Sequence, residues 1–315
     1  MEHKSEVVIL MATYNGANYL PVQLDSIVQQ TFSDWTLLIS DDGSSDGTQD
    51  ILNDYATHYP EKIVLLKKDK ATGSAKNNFI FLTAYAQEYS YIMYCDQDDY
   101  WKPNKIQLTL EKMKKLEAAN KKVPCLVHTD LEVVDEELNL LNKSFMEYSG
   151  LNPERCRLNQ LLIQNNVTGC TMMINHALWS LAARTVNADQ VLMHDWWFAL
   201  IAAACGKIGF MPCATIQYRQ HRDNSVGAKN GHGARMVVSG IKKGNENRHR
   251  LKASMVQAGV LLQTFSDCLT EPQKTLIQVY ADGVQKGKWY RVKTSFQYGI
   301  WKNSFIKRIA QIWYD

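Results

Sequence analysis

No stretch of this 315-residue sequence approaches the roughly 20 consecutive apolar residues that a membrane-spanning helix needs. The first apolar run, Val7 to Ala12, is far shorter than a signal-peptide core with its flanks. The expected location is therefore the cytoplasm. Cysteine pairs are equally absent: Cys95, Cys125, Cys156, Cys170, Cys205, Cys213 and Cys268 form an odd, scattered set without Cys-x-x-Cys spacing, most of them inside apolar runs. That pattern speaks against a disulfide framework or a zinc site and points to buried free thiols. No Gly-x-Gly-x-x-Gly follows the first apolar run, so a nicotinamide-dependent dehydrogenase finds little support. The segment that stands there, Thr13-Tyr14-Asn15-Gly16-Ala17, also lacks the Gly-rich phosphate loop of a sugar-phosphate nucleotidyltransferase. No internal repeat is present.

What the sequence does have is enough apolar material for a full core, 45% of residues against 21% charged. Its net charge of +3 conceals a division. Residues 1–218 hold 18 Lys/Arg against 26 Asp/Glu, whereas residues 219–315 hold 17 against 6. The C-terminal third must face a different surface or partner from the rest.

Short apolar runs alternate with segments of helical period. Val7 to Ala12 reads as a strand, and Leu20, Leu24, Ile27 and Val28 recur at i, i+4, i+7 and i+8 as a helix face. Trp35 to Ser40, Ile63 to Leu66 and Tyr91 to Cys95 read as further strands, with helices around Ile51 to Tyr55 and Phe79 to Ala86 between them. This βαβα order predicts a parallel sheet flanked by helices, with ligands at the carboxyl ends of its strands. Strands at Cys125 to His128 and Thr171 to Ile174 and a helix from Trp196 to Cys205 follow. The expected organisation is one α/β domain over residues 1–226, a basic, Gly-rich linker over 227–250, and a helical, basic and aromatic region over 251–315.

The loops after those strands carry the chemistry. Asp41-Asp42-Gly43-Ser44-Ser45-Asp46-Gly47 places carboxylates where they accept from a pyrimidine N–H or from ribose hydroxyls; the alternative is a helix cap at Ser45 or Asp46. Asp96-Gln97-Asp98-Asp99 follows a buried strand. In extended geometry Asp96 and Asp98 project to one side, and carboxylates so close repel unless a hard cation neutralises them. The alternative there is a solvated acidic turn. Lys76, at a helix start, is unfavourable beside the helix dipole unless an anion is near; the alternative is an exposed lysine. Asp195 in Met193-His194-Asp195-Trp196-Trp197 stands as an N-cap at the mouth of an apolar helix, and of the adjacent Trp196 and Trp197 at least one is core. Tyr218-Arg219-Gln220-His221-Arg222 closes the series.

In combination, Ala12-Thr13-Tyr14-Asn15-Gly16, Gln30-Thr31-Phe32, Ile39-Ser40-Asp41-Asp42-Gly43-Ser44 and the Asp96-Gln97-Asp98 form of a DXD motif resemble the family 2 glycosyltransferases of the GT-A fold, over about residues 6–225. The resemblance implies a mixed sheet flanked by helices and Mg²⁺ or Mn²⁺ as cofactor. It implies donor contacts from Thr13, Tyr14, Asn15, Asp42, Lys76, Asp96 and Arg219, with Arg222 also at the phosphate, and metal ligation by Asp98 and His221. It implies Asp195 as base, with Trp196 and Trp197 on the acceptor side; His194 stands where many members have Glu. The Tyr-Arg-x-His-x-x-Asn, Asn-Gly-x-x-Tyr-Leu and Asp-Gln-Asp-Asp-x-Trp segments resemble those of bacterial rhamnosyltransferases of cell-wall polysaccharide or O-antigen. They suggest dTDP-β-L-rhamnose as donor, inversion, and a glycan or lipid-linked glycan acceptor. The rival readings are a UDP-hexose donor and a catalytically silent glycan-binding protein on the same scaffold.

In the C-terminal region, cations alternate with aromatics from Lys286 to Tyr314. Such mixing fits peripheral contact with the inner face of the membrane; a helical cap or homodimer contact is the alternative. No nucleic-acid module accompanies the patch.

Overall fold

The computed structural model describes residues 4–221 and 244–314. Among the described residues nine strands form one mixed sheet: β1 (Val7–Thr13), β2 (Trp35–Asp41), β3 (Ile63–Leu65), β4 (Tyr91–Cys95), β5 (Tyr100–Trp101), β6 (Cys125–Val134), β7 (Leu140–Asn142), β8 (Met172–Asn175) and β9 (Lys207–Arg219). Their order is β3-β2-β1-β4-β8-β6-β9-β5, with β7 paired to β6. The β3-β2-β1-β4 half is parallel, as the βαβα order predicts, and β8 joins β4 antiparallel. The sheet is thus mixed. Every apolar side chain of Val7 to Met11 is buried, the mark of a central strand covered on both faces.

The helices are α1 (Leu20–Val28), α2 (Thr48–His58), α3 (Ala75–Thr83), α4 (Lys105–Glu117), α5 (Phe145–Tyr148), α6 (Leu158–Leu161), α7 (His176–Ala182), α8 (His194–Cys205), α9 (Gly244–Phe265), α10 (Glu271–Asp282), α11 (Lys288–Tyr298) and α12 (Phe305–Tyr314). Leu20, Leu24 and Ile27 of α1 are buried as their spacing requires. Gln30 and Thr31 tie the end of this helix to the segment after the acidic loop. The Gln30 amide donates to the Lys102 carbonyl (2.8 Å) and accepts from Ile106 N (3.1 Å), while Thr31 N donates to the Pro103 carbonyl (2.8 Å).

The chain divides into two compact units. The first is residues 1–145, 168–180 and 209–227, and the second is 146–167, 181–208 and 228–315. Segments 146–167 and 181–208, read from the sequence with the α/β domain, therefore fold with the C-terminal helices. Within the second unit the Trp196 indole N–H donates to the Leu161 carbonyl (2.6 Å), Leu192 N donates to Gln257 of α9 (2.8 Å) and Trp197 meets the ring of Phe265. Such contacts between segments far apart in the chain leave no local signal. Of the 227–250 stretch expected as a linker, residues 244–250 are the opening turns of α9, and the remainder lies outside the described residues. Cys95, Cys125 and Cys170 are buried free thiols as expected, while Cys213 and Cys268 are exposed. No described helix is long and apolar enough to cross a membrane.

Candidate active site

The carboxyl ends of β1, β2 and β4 meet at one edge of the first unit, because the parallel register sets Thr13 beside Asp41 and Met11 beside Cys95. Thr13 Oγ1 donates to Asp41 Oδ1 (2.9 Å). The same carboxylate takes Gly43 N, Ser44 N, Ser44 Oγ and Gln49 Nε2, at 2.5–3.2 Å. Burial pushes Asp41 up, but the Ser44, Thr13 and Gln49 donors outweigh it and hold the pKa below the ordinary value. Asn15, at φ 47°, takes the left-handed conformation that asparagine tolerates; its N–H donates to Ser44 Oγ (2.8 Å) and its Oδ1 accepts from Ser45 N (2.9 Å). Thr13 and Asn15 therefore lock two loops together, and the Tyr14 ring between them stands exposed. Asp46, weighed from sequence as a helix cap, accepts from Ala17 N as well as from Thr48, so it too joins the two loops.

Asp42 is buried and accepts three donors. Lys68 Nζ (2.7 Å) and Thr72 N (2.6 Å) reach Oδ1, and Gly73 N (2.9 Å) reaches Oδ2. Burial works against its charge, and the Lys68 and Thr72 bonds overcome that, leaving its pKa lowered. Lys68 also donates to Ser40 Oγ (3.0 Å) and Asn78 Oδ1 (2.9 Å). It is the cation of this loop cluster that sequence reading missed, having favoured Lys76. Lys76 sits half-buried in the first turn of α3, whose N-cap is Ser74.

The acidic loop does not continue β4 as an extended strand. Residues 97 and 98 form a bend, so the strand alternation expected of Asp96 and Asp98 fails. The bend gives each side chain its own partner. The Gln97 amide bridges the first loop, accepting from Tyr14 N (2.8 Å) and donating to the Tyr14 carbonyl (3.0 Å). Gly16 makes room for it: a Cβ there would stand 2.4 Å from Gln97 Oε1. Asp98 Oδ2 lies 2.8 Å from His221 Nε2, both side chains nearly buried, and the His221 ring packs on Tyr19 at 4.6 Å. Asp99 is fully buried, and burial with the neighbouring Asp98 and Asp96 charges raises its pKa well above the carboxylate range.

Arg219, expected at donor phosphate, makes several contacts with this loop and its neighbours. Its N–H donates to Asp99 Oδ1 (3.1 Å), its Nε to the Asp98 carbonyl (2.8 Å) and its Nη1 to the Glu136 carbonyl, while the guanidinium lies over the Tyr19 ring at 4.8 Å. It holds the acidic loop in place. Arg222 lies outside the described residues.

In the second unit Asp195 opens α8, half-buried, with Oδ1 accepting from Trp196 N (2.6 Å). Trp196 and Trp197 are both interior, and their indole N–H groups are engaged by the Leu161 carbonyl and Thr185 Oγ1 (2.9 Å). Packing engages both rings, each of which the sequence reading puts on the acceptor side. His194 is buried, and desolvation pushes its pKa down to about 3, so it stays neutral where a Glu would be charged.

Two ligand atoms at about 2.1 Å from one octahedral cation stand about 3 Å apart when cis. The Asp98–His221 spacing fits that requirement, with one carboxylate and one imidazole as the donor set. Asp96 belongs to a different group: its carboxylate clusters with Asp99 and the Cys170 thiol, ligand atoms all within 4.8 Å. A buried thiol raised in pKa is a poor donor for a hard cation, so this second cluster fits Mg²⁺ or Mn²⁺ less well.

Residues 8–181 match the family model described as Glycosyl transferase family 2. The chain is 28% identical over 243 residues to the dTDP-rhamnosyl transferase RfbG of Shigella flexneri, covering 69% of this chain and 74% of that one. Among solved structures it resembles S. aureus TarS 1-349 in complex with UDP-GlcNAc (TM-score 0.57, 14% identity, 93% of this chain and 73% of that one). It also resembles GalNAc-T7 with UDP, GalNAc and Mn²⁺ (TM-score 0.56, 12% identity, 90% of this chain and 58% of that one). At these identities the structural likeness establishes the GT-A-type fold.

Proposed function

The chain belongs to glycosyl transferase family 2, and within it we propose an inverting, metal-dependent enzyme that moves L-rhamnose from dTDP-β-L-rhamnose to a hydroxyl of a lipid-linked or oligosaccharide acceptor in bacterial surface polysaccharide synthesis. The observation that carries the reading is the Asp98–His221 contact, on a loop that Gln97 ties directly to the exposed Tyr14. The exposed Tyr14 ring stacks on the thymine, and Asp42 helps to hold the base. Asp98 and His221 would hold Mg²⁺ or Mn²⁺, which supplies positive charge to the diphosphate leaving group. Lys76 and Asp96 contact the donor.

An acceptor hydroxyl is a weak nucleophile, so a carboxylate must take its proton as the new bond forms; Asp195 has that role. Its Oδ1 accepts from Trp196 N at the start of α8. The C–O bond to the diphosphate breaks as the acceptor oxygen attacks from the opposite face, and no covalent enzyme intermediate is required. The rhamnose assignment is supported by the likeness to RfbG. The test is the anomeric configuration of the product by NMR: an α-linked rhamnose agrees, and a β-linked product refutes inversion from this donor.

A further inference from the structure

Residues 283–314 contain seven Lys/Arg and no Asp or Glu. This segment also exposes four large aromatics: Trp289 (81% exposed), Phe305 (75%), Trp313 (71%) and Phe296 (67%). On α11, Trp289, Lys293 and Phe296 follow one another at i, i+4 and i+7 and are all exposed, while Thr294 and Ser295 are buried behind them. On α12, Phe305, Ile309 and Trp313 at i, i+4 and i+8, with Ile306 beside them, form an exposed apolar stripe, while Gln311 on the opposite side is buried. Gln311 fixes the two helices together, donating to Ser295 Oγ (3.2 Å) and the Ile300 carbonyl (2.9 Å) and accepting from Lys302 N (3.1 Å). Lys288 Nζ, on α11, reaches the Trp313 carbonyl at 3.4 Å.

Not every cation of the segment faces outward. Arg291 donates to the Gly283 and Lys286 carbonyls, closing the end of α10, and Lys307 is turned inward to the Ser149 carbonyl. Lys286, Lys288 and Lys293 are exposed among the aromatics. Burial of Trp and Phe in water-free packing calls for an apolar partner, whereas the exposed Lys286, Lys288 and Lys293 among them call for an anionic one. An anionic lipid surface meets both demands, because indole and phenyl rings settle at headgroup depth while lysines meet the phosphates.

We propose that α11 and α12 form a docking surface for anionic lipid bilayers, placing the protein at a membrane without crossing it. The inference stands on these side chains and does not depend on the donor or on the reaction.

The test is co-sedimentation of the full chain with vesicles of phosphatidylcholine alone and with about one third phosphatidylglycerol, at low and high salt. The expected result is binding to the anionic vesicles only, weakened by salt. Lys288→Gln with Lys293→Gln is expected to lower partition about 30-fold, and Trp289→Ser with Trp313→Ser at least about tenfold. All four side chains are solvent-facing, so far-UV circular dichroism should stay unchanged, and the salt response of the wild type needs no variant. Failure to bind anionic vesicles at low salt overturns the proposal. So does binding that none of these substitutions alters, or a dimer in ultracentrifugation that the same substitutions dissociate while lipid binding stays absent, which would assign the surface to a second copy.

Discussion

Gln97 and Tyr14 stand 83 positions apart in the chain, yet one side-chain amide makes both backbone hydrogen bonds to the other residue, at 2.8 and 3.0 Å. The acidic loop and the first loop are therefore joined at Tyr14. A change in either is felt at the exposed Tyr14 ring.

Gly16→Ala tests that coupling. The added methyl would meet the Gln97 amide at 2.4 Å and displace it, so the donor KM should rise, at a cost of about 1–2 kcal/mol for two neutral hydrogen bonds. If the cost runs through Gln97, the double variant Gly16→Ala/Gln97→Ala should be little worse than Gln97→Ala alone. Additive losses in a double-mutant cycle would show that the methyl acts elsewhere.

His221→Ala and Asp98→Asn each remove one of a pair of candidate ligands 2.8 Å apart. Each should raise the Mn²⁺ concentration needed for half-maximal turnover by at least about tenfold. Titration of chelator-treated enzyme measures this. Undiminished turnover of the wild type in excess chelator would remove the metal from the account.

The strands and helices that position these loops were legible because burial imposes a local period: β1, β2, β4 and α1 fall where the apolar spacing puts them. The motifs Asn15-Gly16, Asp41-Asp42 and Asp96-Gln97-Asp98 were legible as loops with chemistry. What each side chain does there was not. Lys68 and Gln97 act across 26 and 83 positions, and such pairing leaves no periodic trace. Arg219 reads as a donor-phosphate contact beside His221; that its guanidinium also donates to the Asp98 and Glu136 carbonyls, far off in the chain, had no trace in the sequence. The two units escaped notice for the same reason: α6, α8 and α9 are joined by contacts, not by adjacency in sequence.

His128 gives a pH signature. It is fully buried on β6 against Phe210, neither ring nitrogen meets a partner among the described residues, and burial lowers its pKa to about 4. A folded pKa below the unfolded one means the unfolded chain binds the extra proton first, so this group's stability contribution is complete above about pH 6.5 and lost as pH falls towards 4. The loss is about 3 kcal/mol at most. His128→Leu should flatten chemical-denaturation stability between those limits; an unchanged slope would show that His128 titrates normally.

Asp195→Asn keeps an acceptor for Trp196 N while removing the proton acceptor from the proposed reaction. Turnover should fall about 10²- to 10⁴-fold with donor affinity unchanged, measured by steady-state kinetics beside calorimetric donor binding. Equal losses in both would make Asp195 a structural residue of α8.

The most direct measurement is nucleotide diphosphate release by wild type and Asp195→Asn, with Mn²⁺, from dTDP-rhamnose, UDP-glucose, UDP-galactose and UDP-N-acetylglucosamine in turn. The account predicts release from dTDP-rhamnose alone, lost in the variant. Preferential release from a UDP-sugar would contradict the rhamnose donor while leaving the family intact, and release unaffected by Asp195→Asn would contradict the proposed base.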